Sequence, residues 1–174
     1  MVGWEIMDFA ILTENGIKLK GKQSVILIDS SSARAKVPAD AILQLLQQNA
    51  SEDQTLIIQG PGEYETKGTK ITGTRTDKDM WYEIVMEGVD ILIGRATTIT
   101  RAKDKLRDFD VALIYADDVI SQQALGVISP SVFITYGEKA KETITSLGKE
   151  NGEVNKYTTT KDKLPSEMEI VLLA

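Results

Sequence analysis

The hydrophobic positions of this chain come in short clusters, and many alternate with polar residues at a period of two. Ile17-Lys18-Leu19-Lys20 is the cleanest case. Alternation puts the aliphatic pair on one face and both lysines on the other, as in a half-buried strand. Residues 4 to 12 form an earlier apolar run. Gly21-Lys22 turns the chain into Val25 to Ile28, a continuous apolar run of the kind found in strands buried on both faces. That run ends at Asp29 and the small polar loop Ser30-Ser31-Ser32. Thr55 to Ile58, Thr69 to Gly73, Trp81 to Met86 and Val89 to Ile93 predict further strands, with a hairpin turn at Glu87-Gly88. The stretch IIQGPGEYETKGTKITGT, residues 57 to 74, reads as strand, tight turn at Gly60-Pro61-Gly62, strand, second turn, strand. Ala39 to Asn49, ADAILQLLQQN, is ambiguous: its residues are good helix formers, yet its apolar centre suits a short strand.

The second half has a different rhythm. Ala102 to Arg107 predicts a short helix, Val111 to Tyr115 a buried strand, and Ile120 to Val127 a helix. A strand follows Pro130 at Val132 to Thr135, then a helix over Lys139 to Leu147, closed by Gly148. Val154 to Thr158 and Glu169 to Leu173 read as strands joined through Pro165. Strands alternating with helices predict βα units, and the fold class is α/β. There is no internal repeat, low-complexity tract or linker, so a single domain over residues 1–174 is expected.

Composition sharpens this by what is missing. The chain has no cysteine and no histidine. Thiol nucleophiles, thiolate ligands and disulfides are therefore absent, and Ser-His-Asp and Cys-His catalysis are excluded. Zinc would have to be held by carboxylates alone, whereas Mg²⁺ or Mn²⁺ on Asp and Glu stays open. The net charge of −6 lacks the basic footprint of a general nucleic-acid or anionic-membrane binder. MVGWEIMDFAIL carries no basic n-region and no small-residue cleavage site, so a cytoplasmic location is expected.

Several residue groups suggest chemistry. Gly16-Ile-Lys-Leu-Lys-Gly21-Lys22 resembles the start of a phosphate-binding loop, but Gln23 stands where Ser or Thr belongs and strands flank it, so a hairpin is favoured. Asp29, after a buried strand, is either a site carboxylate or a cap on backbone N–H groups. Glu63 and Glu65 flank Tyr64; on a strand they share one face, where they either hold a divalent cation or form a solvated surface. Asp117-Asp118 is a second candidate for Mg²⁺, with Asp118 otherwise capping the next helix. Lys18, Lys20, Lys22, Arg34 and Lys36 form one basic cluster, read as phosphate contacts or as protection of an edge strand. Trp4 and Trp81 are candidates for a partner-facing patch.

The order of these segments resembles the metallo-β-lactamase-fold hydrolases, in the branch that resembles ascorbate-6-phosphate lactonase. Gly60-Pro61-Gly62-Glu63-Tyr64-Glu65 with Gly68-Thr69-Lys70-Ile71-Thr72-Gly73 is similar to that branch's PGEYE segment. Gly21-Lys22 with Ile26-Leu27-Ile28-Asp29, Phe109 to Ile114, Pro130 to Ile134 and the segment Thr160 to Leu172 resemble others, in the same order. The resemblance implies an αββα sandwich, here reduced in size, with Ala39 to Leu46 a strand leading into a shortened metal loop. It also implies a histidine-rich metal site, and here every expected ligand is replaced. Leu46, Gln47, Gln48 and Asn49 stand at the first histidine motif. Ile93, Gly94, Arg95 and Ala96 stand at the second, and Thr135, Tyr136, Gly137 and Glu138 at the third. Thr13-Glu14-Asn15 meets an early Gly-His segment, and Asp29 alone survives.

The degenerate positions are thus Leu46, Gln48, Ile93, Ala96 and Gly137, with Asp29, Glu63 and Glu65 a candidate residual site. The expectation is a catalytically inactive member with no metal or other cofactor, acting as a binding or assembly module. Its expected partners are further copies of itself or another protein, with no membrane and no nucleic acid. The alternatives are a carboxylate- and Mg²⁺-dependent hydrolase using Glu63, Glu65, Asp29 or Asp117, and a nucleic-acid-binding relative using Lys18, Lys20, Lys22 and Arg34.

Overall fold

A computed structural model describes residues 5–31, 35–45, 56–149 and 152–174. The strands are β1 (Met7–Ile11), β2 (Ile17–Lys20), β3 (Val25–Ile28), β4 (Ala41–Leu43), β5 (Leu56–Ile58), β6 (Gly62–Thr66) and β7 (Thr69–Thr76). They continue as β8 (Asp79–Met86), β9 (Val89–Arg95), β10 (Val111–Tyr115), β11 (Val132–Tyr136), β12 (Glu153–Val154), β13 (Lys156–Thr159) and β14 (Glu169–Leu173). The helices are α1 (Ala96–Arg101), α2 (Gln122–Ile128) and α3 (Ala140–Ser146). The strands form two sheets, one six-stranded in the order β13-β1-β2-β3-β4-β5, the other eight-stranded in the order β12-β14-β11-β10-β9-β8-β7-β6.

The alternation predicted from sequence is what lets the sheets pack face to face. Met7, Phe9, Ile17, Leu19, Ile26 and Ile28 from one sheet meet Ile84, Ile91, Val111, Leu113, Val132 and Ile134 from the other in one buried cluster. Burial of this apolar surface is the main force holding the sheets together. On the far face of the eight-stranded sheet, Leu92, Ala112, Ile114 and Phe133 pack under Ile99 of α1 and Ala124, Leu125 and Ile128 of α2. Both-face burial explains the continuous apolar runs of β10 and β11. The described helices cover this sheet; Leu27 and Ile42, on the outer side of the six-stranded sheet, are buried as well. No helix among the described residues is long and apolar enough to cross a membrane.

Two-residue turns with both central φ positive close β6–β7 at Lys67-Gly68 and β8–β9 at Glu87-Gly88. This conformation matches the twist of antiparallel strands and favours glycine at the second position. The phosphate-loop lookalike is the expected hairpin, with Gly21 N–H donating to Ser24 O at 2.9 Å. Ala41–Leu43 is a strand, as the resemblance implied against helix propensity.

Four expectations are corrected. β2 lies between β1 and β3, so Lys18 and Lys20 do not protect an edge. The span expected as a helix, Ala102 to Arg107, holds only a 3-10 turn at Lys103–Lys105, and the α-helix precedes it at Ala96–Arg101, where β-branched Thr97, Thr98, Ile99 and Thr100 give a weak helix signal. The helix expected from Ile120 begins at Gln122, capped by Ser121 Oγ, which accepts from Ala124 N–H at 3.1 Å; Asp118 instead accepts from its neighbour Val119 N–H. The strand expected at Val154 to Thr158 is two strands in different sheets, β12 beside β14 and β13 beside β1.

Candidate functional site

Three parallel strands, β9, β10 and β11, end in register at Arg95, Tyr115 and Tyr136. The alternation that buries Ile93, Leu113 and Ile134 between the sheets carries these three residues to the same face. Strand β3 of the other sheet ends nearby in Asp29 and Ser30. Ends of parallel strands, where loops diverge, are where α/β folds build their sites.

Three phenol rings are buried at this end of the sandwich. Tyr82 and Tyr136 have no exposed surface, and Tyr115 is 8% exposed. Tyr115 and Tyr136 meet edge to face, with ring centroids 5.4 Å apart. Tyr82 Oη lies 2.9 Å from Gln44 O and 3.0 Å from Ile58 O, so its proton joins the ends of β4 and β5 to the facing sheet. Tyr136 Oη is buried without a hydrogen-bond partner among the described residues. Burial pushes the Tyr136 phenol well above its ordinary value, and the nearby charge of Asp29 and Tyr115 push it the same way. Burial also raises Tyr115, helped by Glu138 and Asp117. These hydroxyls stay neutral at physiological pH and offer no phenolate to a substrate or cation.

Asp29 sits in the left-handed region at φ 51 and is 3% exposed. Its Oδ1 accepts from Leu45 N–H at 2.9 Å, and its own N–H donates to Leu43 O at 2.9 Å. Of the two sequence readings, the backbone cap is the one seen: Asp29 fastens the end of β4 to that of β3. Gly137, after β11, has φ +98, and a Cβ added there would lie 2.5 Å from the Tyr115 ring. The glycine is needed both for its backbone and for the ring that covers it.

Arg95 organises the rim. Its Nη1 donates to Asp79 Oδ1 at 3.2 Å, and its Nη2 lies 3.1 Å from Asp117 Oδ2. Asp117 Oδ1 also accepts from Thr97 N–H at 3.0 Å, at the start of α1, and its Oδ2 from Thr97 Oγ1. Arg101 pairs with Asp79 at 2.6 Å and with Asp77 at 2.8 Å. Asp117, a sequence candidate for Mg²⁺, is therefore committed to an arginine and a helix start. Sequence reasoning missed this network, because its members lie in three separate segments, 77–79, 95–101 and 117. The repeated tyrosine ending VALIY and VFITY was the available signal for the aromatic plug.

The other candidates fall elsewhere. Ile93 is core between the sheets, and Ala96 opens α1 with 1% exposure. Glu63 and Glu65 lie on one exposed face of β6, as expected of a strand, far along the sheet from β9 to β11. Trp81 is not a surface residue: it is 2% exposed under α1, with Nε1 donating to Thr76 Oγ1 at 3.0 Å, because its strand position points to the helix side. Trp4, Arg34, Leu46 and Gln48 lie outside the described residues.

No family model and no curated protein matches the chain. Solved structures do. A protein from Thermotoga maritima, described as a Zn-dependent hydrolase of the metallo-β-lactamase superfamily, matches with a TM-score of 0.72 and 18% identity over 96% of this chain and 98% of its own. A protein from Parabacteroides distasonis, described as a metal-dependent hydrolase, matches at 0.58 and 14%, over 94% of this chain and 92% of its own. Igni18, a metallo hydrolase from Ignicoccus hospitalis, matches at 0.57 and 12%, over 88% and 98%.

A fold shared with metal hydrolases raises the question whether these residues suit a metal. The chain offers no imidazole and no thiolate. Among the described residues no group of three or more Asp or Glu is placed to hold an ion. Asp29 is turned to a backbone amide and Asp117 to a guanidinium. The donor set of the described residues does not fit a metal centre. In architecture the protein is a metallo-β-lactamase-type sandwich of two sheets with few helices, reduced in size.

Proposed function

We propose that this protein is a degenerate member of the metallo-β-lactamase superfamily, of the branch resembling ascorbate-6-phosphate lactonase, that binds rather than hydrolyses. The carrying observation is the state of the strand ends. Where a hydrolase of this kind needs a polarising ion and the water it activates, this chain puts Arg95, Tyr115 and Tyr136 side by side. The guanidinium is a permanent cation already paired with Asp79 and Asp117, and the phenols are kept neutral by burial. The same reading makes a protein partner or further copies of the chain the natural ligand, since the described strand ends carry buried phenols and an ion-paired arginine and no group placed to activate water.

The test is metal content and metal response of the purified protein. Zinc, manganese and iron are measured after dialysis, and melting curves are recorded with and without added Zn²⁺, Mn²⁺ and Mg²⁺. The expected result is substoichiometric metal and no upward shift of Tm. A tightly binding ion would raise stability by mass action, so one equivalent retained, or a chelator-sensitive hydrolysis of lactone or phosphodiester substrates, sinks the proposal.

A further inference from the structure

The PGEYE segment takes no part in the plugged site, yet it forms the end of the eight-stranded sheet. Strand β6 pairs with β7 on one side, and it is the last strand in that direction among the described residues. The two-residue turn at Lys67-Gly68 fixes which backbone groups are used. Thr66 and Thr69 face each other across it and form the hydrogen-bonded pair nearest the turn. Strict alternation then gives Tyr64 and Gly62 to the ladder with β7. The N–H and C=O groups of Glu63 and Glu65 point the other way, off the sheet.

The side chains follow the same alternation. Glu63 and Glu65 stand exposed on one face, while Tyr64 is half-buried toward the other sheet, its hydroxyl donating to Gly60 O at 3.3 Å. Together with Lys70, Ile71 and Thr72 these residues line an open cleft of about 440 Å³. The edge thus presents a repeat of outward backbone donor, outward backbone acceptor and carboxylate every second residue.

We infer that this edge docks an extended segment of a partner protein carrying lysine or arginine at alternate positions, which adds to the sheet as a ninth strand beside β6. Main-chain hydrogen bonds to Glu63 and Glu65 would supply affinity, as in strand addition generally, and side-chain pairing would supply specificity. A neighbouring strand puts its own alternate side chains about 5 Å from Glu63 and Glu65 on the same face, where opposite charges attract and like charges repel. A second copy of β6 would set glutamate against glutamate, so the charges select against self-pairing and for a basic partner. This inference rests on the binding role proposed above and gives it a surface, but the edge lies away from the strand ends, so the metal experiment does not decide it.

The probe is a pair of capped hexapeptides, one alternating lysine with valine and threonine, the other with glutamate in place of lysine. Binding is followed by backbone amide shifts of the ¹⁵N-labelled full chain, with hydrogen exchange of the Glu63 and Glu65 amides. The lysine peptide is expected to shift Glu63 to Thr66, to protect those two amides and to bind less tightly as salt rises, while the glutamate peptide does nothing. Glu63→Gln with Glu65→Gln is expected to weaken binding about three- to tenfold. Glu65→Pro removes one outward N–H but none from the β6–β7 ladder, so it should fold, keep the remaining amide spectrum and lose binding altogether. Equal binding of the glutamate peptide, undiminished binding by Glu65→Pro, absence of shifts along β6 at saturating lysine peptide, or concentration-dependent pairing of β6 with itself each overturns the inference. A zinc-free protein that ignores the peptide would keep the metal reading and lose this one, and a zinc-bearing protein that binds it would do the reverse.

Discussion

Tyr136 and Tyr82 are both fully buried in the same core, yet they should respond in opposite directions to the same substitution. Each Tyr→Phe change removes one oxygen and leaves the ring. At Tyr136 that oxygen has no partner among the described residues. A hydroxyl taken out of water without a hydrogen bond costs about 1–3 kcal/mol in proteins, so Tyr136→Phe is expected to stabilise by about 1 kcal/mol, toward the low end because the small space it leaves loses some packing. At Tyr82 the proton lies between Gln44 O at 2.9 Å and Ile58 O at 3.0 Å. Removing it forfeits a buried bond and strips a partner from two carbonyls, at a cost of about 1–2 kcal/mol. The two variants should differ by about 2–3 kcal/mol. With a urea m-value of about 2 kcal/mol/M, their midpoints separate by about 1 M or more, on opposite sides of wild type. Equilibrium urea unfolding followed by tryptophan fluorescence measures this directly, with equal m-values as the check that only stability has moved. If Tyr136→Phe falls in midpoint alongside Tyr82→Phe, the Tyr136 hydroxyl has a bonded partner in solution, and the dry aromatic plug is wrong.

Other expectations follow from the same end of the molecule. Gly137→Ala drives a Cβ to 2.5 Å from the Tyr115 ring at φ +98 and should cost about 2–3 kcal/mol; Gly148→Ala, with φ +74 and open space around it, should cost about 1 kcal/mol, and thermal melts that rank them equally would refute the clash. Arg95→Met leaves Asp79 and Asp117 without their shared cation, with an expected loss of about 1–2 kcal/mol that narrows in high salt; a loss independent of salt would mean the arginine acts by packing. Tyr157 donates to Glu169 Oε2 at 2.9 Å, and burial, then this bond and the glutamate's charge, push its phenol up from 10.0 to about 12. A folded pKa above the unfolded one means that this stabilisation is complete below pH about 10 and disappears as pH rises toward about 12. Unfolding midpoints should therefore fall less steeply over that window in Tyr157→Phe than in wild type.

How much of this was visible in the chain depended on whether the cause was local. Alternation in Ile17 to Lys20 and the apolar runs of β3, β10 and β11 revealed strands, because side-chain period and burial are properties of a single segment. The turns at Lys67-Gly68 and Glu87-Gly88 were legible for the same reason. What failed was neighbour-dependent. Lys18 and Lys20 look like edge protection until β1 is seen beside them. Asp118 looks like a cap, but the chain runs on to Ser121 before the helix begins. Threonines 97, 98 and 100 favour a strand, and it is Asp117, twenty residues away from Thr97, that holds the first turn of α1 as helix. Trp81 was offered to a partner because aromatics favour interfaces, yet its strand position faces the helix layer. For the site, the absence of histidine and cysteine could be read from the sequence, whereas the meeting of the tyrosines and the Arg95 network needed the register of three strands.

The split of residues 153–159 between the sheets bears on when the molecule can close. Glu153 and Val154 lie along β14 in one sheet, and Lys156 to Thr159 lie along β1 in the other, with Asn155 O accepting from Ile11 N–H at the crossing. A segment this short therefore acts as a stitch through both layers, and its partner β1 is remote in sequence, as the Thr158–Asp8 hydrogen bond across 150 positions shows. Closing a loop of that length precedes any reward from the contact, which slows folding. During synthesis the six-stranded sheet must wait, its β1 edge open, until nearly all the described chain has left the ribosome. In that interval the exposed β1 edge is a point where a chaperone would be of use and where a second nascent chain could pair by mistake.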